Sequence, residues 1–61
     1  MEDFAAAIDR ILEKKVSICD ASGESIGGTV SEVGSNYLIL TYGNTKKIYN
    51  FHNIIYVQCV D

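Results

Sequence analysis

The chain has no proline and no tryptophan, one histidine and two cysteines, and its five basic residues are outnumbered by eight acidic ones. With no proline and 48% hydrophobic residues, the composition is that of a folded chain rather than a disordered one. No run approaches the roughly 20 apolar residues that span a bilayer. The opening M-E-D-F-A-A-A-I-D-R alternates acidic and apolar residues, unlike a secretory leader, so a cytoplasmic location is expected. Cys19 and Cys59 fit no metal-ligand spacing, and in a reducing compartment no disulfide is expected. Nothing resembles a nucleophile–base pair or a phosphate-cradling glycine loop. The expectation is a protein that is not an enzyme, with no catalytic residue, cofactor, metal or small-molecule substrate. The formal net charge of −3 also counts against nucleic acid, whose binders draw most of their affinity from basic residues.

What is present is a pattern of turns and alternations. Sixty-one residues make one domain. A chain of that length buries only about 60% of the surface its unfolded form exposes, so further burial is expected from subunit contacts. Phe4, Ile8, Ile11 and Leu12 fall on one face of a helical period, and Ala5, Ala6 and Ala7 favour helix, which predicts a helix over 2–14. Glu2 and Asp3 sit where the positive end of its dipole favours carboxylates. From Lys15 the period becomes two. Strands are expected over 15–21, 25–33, 37–42, 46–51 and 54–60, with turns at Ser22-Gly23-Glu24, Gly34-Ser35-Asn36 and Gly43-Asn44-Thr45. Gly27 and Gly28 inside the long second strand predict a sharp bend. Ile54 and Val57 are three apart, so a single helical turn is expected before the fifth strand. The fold class read from this is mainly β with one N-terminal helix: five strands in a strongly bent antiparallel sheet forming a small open barrel.

Residues 48–60 carry more apolar side chains than one face of such a sheet can absorb. Ile48, Tyr49, Phe51, Ile55 and Tyr56 are therefore the candidate oligomer interface, since an uncovered apolar edge would aggregate. The expected partner is a second copy of the chain; no membrane contact is expected.

The order of one helix and five short strands, with Val16, Ile18, Gly23, Gly28, Val33, Leu38 and Leu40 at matching spacing, resembles the first motif of the Sm-like proteins. That family includes the Sm, LSm and Hfq-type ring proteins. Ile48, Ile54 and Val57 are similar to its second motif, and Y-N-F-H-N-I-I-Y-V resembles the Hfq-type segment, with His52 in place of the family histidine. The resemblance covers nearly the whole chain. It implies a ring closed by edge pairing of the last two strands, with single-stranded RNA as ligand at the pore-lining loops, here Ser35, Asn36, Tyr37, His52 and Asn53. The chain departs from the family pattern at several positions. Gly34 replaces the usual Asp, Leu38 the following Asn, and Asn50-Phe51 the Arg-Gly, with Phe51 also standing for the Hfq-type lysine.

Each candidate also has a plainer reading. His52 can satisfy backbone groups at a strand break, and Asn36 and Asn53 are common turn residues. Tyr37 and Phe51 can be core or interface rather than stacking platforms for bases. Lys46-Lys47 can guard an edge strand rather than touch phosphate. The alternatives to an RNA-binding ring are a structural or protein-interaction barrel without nucleic acid, and an SH3-like barrel dimerising through its last two strands.

Overall fold

A computed structural model describes residues 4–60. One short helix, α1 (Phe4–Asp9), precedes β1 (Lys15–Asp20), β2 (Ser25–Val33), β3 (Tyr37–Tyr42), β4 (Thr45–Asn50), a 3-10 turn (Phe51–Asn53) and β5 (Ile54–Cys59). The helix is shorter than the 2–14 expected. Glu2 and Asp3 lie outside the described residues. At the other end, Arg10, Ile11 and Leu12 donate to carbonyls three residues back, and Glu13 adopts φ +68°. The chain leaves the helix there because Glu13 N–H donates to Val30 O at 2.7 Å, while Val30 N–H donates to Lys14 O. A tertiary ladder thus takes the backbone groups that a longer helix would have used. Ile8, on the inward face of α1, is 3% exposed and closes one side of the core.

All four ladders are antiparallel, in the order β4-β3-β2-β1-β5. Val16, Ile18, Val30, Leu38 and Leu40 alternate with outward residues and are fully buried, joined by Ile8, Tyr49 and Ile54. The β3–β4 connection is a two-residue hairpin with Gly43 at φ +59° in its first position, as a type II′ turn demands. Between β1 and β2, Asp20 Oδ1 accepts from Ser22 N–H, Ser22 Oγ and Glu24 N–H.

No ladder joins β4 to β5, so the sheet is open. It is nonetheless strongly curled. Five flat strands would set the outer two about 19 Å apart, yet β4 and β5 are joined by three residues in a tight turn. Lys47 on β4 reaches across to the β1–β2 turn, 3.9 Å from Asp20 Oδ2 and 3.4 Å from Glu24 Oε1. Side chains bridge the gap that no strand fills.

Two bulges supply the bend. In β2, Val30 pairs with Leu40 and Glu32 with Ile39, which leaves Ser31 as an extra residue. In β5, Tyr56 pairs with Cys19 and Ile54 with Asp20, which leaves Ile55 extra. The second bulge corrects one detail of the expectation. The helical turn before β5 exists, but it is the bulge at Ile55 that lets both Ile54 and Val57 turn inward.

The hairpin carboxylate has a measurable consequence. Asp20 is held below the ordinary carboxylate range, first by the Ser22 hydroxyl and then by the Glu24 and Ser22 N–H groups and Lys47. A group depressed by folding stabilises the protein above its unfolded pKa, and that stabilisation is lost as pH falls through the folded value. Thermal melts between about pH 5 and pH 2 should therefore show stability falling with acid, and Asp20→Asn should flatten that limb.

Candidate assembly edges and loop cluster

The two edge strands of the sheet, β4 and β5, carry large exposed apolar side chains. Ile48 is 69% exposed, Ile55 64% and Tyr56 49%. Alternation places Ile48 outward because its neighbours Lys47 and Tyr49 face the curled interior. Ile55 is displaced outward by the bulge at which it sits.

Two of the five expected interface residues are turned elsewhere. Tyr49 is 3% exposed and belongs to the core, opposite Leu38, with Lys47 Nζ 5.2 Å from its ring centre. Phe51 lies in the 3-10 turn rather than on β4, half-buried, its ring edge-on to Phe4 at 4.8 Å. Period two decided between them: Ile48 and Tyr49 are adjacent, so one must point in. Hydrophobicity alone did not say which.

Tyr49 is an internal oddity, because its hydroxyl is buried without a hydrogen-bond partner among the described residues. Burial pushes its pKa up, so it remains a neutral phenol. An orphaned hydroxyl costs stability. Tyr49→Phe should raise stability by about 1 kcal/mol, a gain of some 4–8 °C in Tm for a domain this size. A fall in Tm would mean that the hydroxyl is partnered.

The open edge of β4 borders a groove of about 430 Å³ lined by Ser22, Lys47, Ile48, Asn50 and Asn53 among others. It runs between β4 and the β1–β2 turn.

The loop residues meet at one end of the sheet. Ser35, Asn36, His52 and Asn53 are exposed, and Tyr37 is half-buried. Phe51 N–H donates to Asn36 O at 3.0 Å, Tyr37 pairs with Asn50, and Ala21 N–H donates to Asn53 O at 2.8 Å. The β2–β3 turn, the 3-10 turn and the β1–β2 turn are thus tied through backbone. Asn50, which the sequence reading did not single out, caps the 3-10 turn by accepting from His52 N–H at 2.9 Å. An Asn placed one helical turn, four residues, before a strand start is a cap signal that could have found it.

Tyr37 is bound to its own strand pair. Its hydroxyl donates to Glu32 Oε2 at 2.8 Å, which raises its pKa. Its ring covers Gly34 so closely that a Cβ there would collide with it. Gly34 is therefore the residue that lets Tyr37 lie down. The cluster offers amides, an imidazole and backbone groups, with Glu32 as the charged group bound to it.

Among the described residues no group of three or more His, Cys, Asp or Glu could hold a metal ion. Cys19 and Cys59 are free thiols, the first half-buried and the second exposed. Among the described residues no helix is long and apolar enough to cross a membrane. No family model, curated protein or solved structure matches the chain.

Proposed function

We propose that the chain assembles with copies of itself into a closed ring, β4 of each copy pairing with β5 of the next, so that each curled sheet completes a small barrel-like unit. The observation that supports this reading is that the two edge strands are different strands and each carries exposed apolar side chains, Ile48 on β4 and Ile55 and Tyr56 on β5. Each copy then offers two unlike surfaces, and a head-to-tail contact closes into a ring when its rotation permits. The groove beside β4 supplies the seat for the incoming strand, with Ile48 and Asn50 along it. The Sm-like resemblance implies the same geometry.

The test is solution mass by light scattering over a wide concentration range. A constant mass of three or more times the 6.7 kDa chain supports the ring. A concentration-independent monomer overturns it, and a dimer favours the SH3-like alternative.

Single-stranded RNA is the ligand proposed for the loop cluster. Convergence of Asn36 and His52 through the Asn36–Phe51 hydrogen bond supports this part. Oligo-U or oligo-A titration at about 50 mM salt tests it, with Asn36→Ala and His52→Ala expected to weaken binding. Absence of binding by the parent chain leaves the ring as a structural or protein-interaction module.

A further inference from the structure

The ladder registers align a second feature on the face of the sheet opposite the core. Lys15 pairs with Thr29, Thr29 with Thr41, and Thr41 with Lys46. Directly opposed residues in antiparallel strands share a face. Their chain neighbours Val16, Val30 and Leu40 are fully buried, so this row points outward. The result is a line Lys-Thr-Thr-Lys crossing four strands, with the lysine backbones about 14 Å apart. Sequence order scatters these residues over thirty positions, and only the registers bring them together.

Three further observations make the row a site rather than decoration. Lys15 and Lys46 make no ion pair with any described residue, whereas Lys47 is held by Asp20 and Glu24. The Thr29 hydroxyl has no hydrogen-bond partner among the described residues; that of Thr41 donates to Ser31 Oγ at 3.0 Å. Finally, Lys15, Thr29 and Thr41 line an open groove of about 410 Å³ together with Ser17, Gly27, Gly28 and Tyr42, while Lys46 pairs with Thr41 without lining the groove itself. Gly27 adds no side chain to it, and the nearest atom to a Cβ there would be Val16 O at 3.7 Å. The closest acidic group along β2, Glu32, is engaged by Tyr37.

The geometry points to this row as a binding track for the phosphodiester backbone of a single-stranded nucleic acid. Two cations flanking two neutral hydroxyls, of which that of Thr29 is free to donate, suit a chain whose charges are spaced and whose sugar and phosphate oxygens accept hydrogen bonds. Dense inorganic polyphosphate would call for more cations along the same length. The four groups of the row itself are cations and hydroxyls, which suit backbone rather than base, and Tyr42 is the aromatic that lines the adjoining groove. It is separate from the loop cluster around Asn36 and His52 and does not depend on the ring.

The test is fluorescence titration of the full chain with a labelled oligothymidylate as a function of salt. The parent chain should bind at about 50 mM salt, and Lys15→Gln/Lys46→Gln should weaken binding at least about tenfold. The double variant should also flatten the slope of log affinity against log salt by about 1.4, the loss of two phosphate contacts to a single strand. Lys14→Gln, which removes an exposed lysine outside the row, should leave at least one of those two contacts' worth of difference from the double variant. Circular dichroism confirms the folds. Equal effects of Lys14→Gln and either row substitution, no binding by the parent, or binding of polyphosphate alone would each overturn the track. Loss of binding in Asn36→Ala/His52→Ala with no effect of the row variants overturns the track and leaves the loop reading standing. The opposite pattern does the reverse.

Discussion

Ile48→Lys and Ile55→Glu should each reduce the assembly to single folded chains. Both side chains are about two-thirds exposed in one copy, at 69% and 64%, so neither contributes much to the core. In the proposed ring both are covered by the neighbouring copy. Fully burying an isoleucine is worth about 1.5–3 kcal/mol, and a charge in its place adds a desolvation penalty. A cost of about 3 kcal/mol at each contact raises the dissociation constant roughly a hundredfold. A charge on an exposed edge also blocks strand pairing directly. Light scattering of each variant should report the monomer mass while far-ultraviolet circular dichroism stays that of the parent. Retention of the parent mass by both variants would place the contact elsewhere.

Gly28→Val should cost about 3 kcal/mol or more, while Gly27→Ala should change stability by less than about 0.5 kcal/mol. The two residues are adjacent and read alike in sequence. A Cβ at Gly28 would stand 2.7 Å from Thr41 O and 3.0 Å from Leu40 Cγ, so backbone would have to move. At Gly27 the nearest atom is 3.7 Å away, an ordinary contact. For a domain this small, total stability is about 3–9 kcal/mol, so the Gly28 loss takes a large share of it. Thermal melts should separate the pair by about 15 °C. Similar melting of the two variants would mean that β2 and β3 do not approach as closely as described.

That pair also illustrates how much of the fold was legible. The alternation of Val16, Ile18, Leu38 and Leu40 and the turn residues Gly23 and Gly43 carry their own local physics, so five strands could be read directly. The curl was credited to the paired glycines, whereas Ser31 contributes a bulge. Its signal was present, since Val30 and Val33 are three apart with Ser31 and Glu32 both exposed between them. The helix was overextended because its periodicity continues to Leu12, while the Glu13–Val30 and Lys14–Val30 hydrogen bonds that end it are tertiary.

The candidate site was less legible. Of the five residues expected at an oligomer interface, Ile48, Ile55 and Tyr56 are exposed while Tyr49 is buried and Phe51 half-buried, because hydrophobicity carries no direction without a register. Asn36 and His52 could be placed near each other only through the family resemblance, and the structure joins their turns by a backbone hydrogen bond that no residue type announces. The Lys15–Lys46 row was invisible to sequence for the same reason: it exists only across ladders.

The strand order has a consequence for how the chain folds. β1 to β4 form a meander of neighbours in sequence, each hairpin able to close locally. β1, however, lies inside the sheet, and its second partner is the last strand, with Val16 meeting Cys59. Closing that long loop is the slow, entropically costly step expected to set the folding rate. During synthesis the meander can form while the β1 edge stays bare, and β5 covers it only when it leaves the ribosome. In the proposed ring the strand that ends folding would also be one that starts assembly, so a chain competent to join its neighbours would be one in which β1 is already covered.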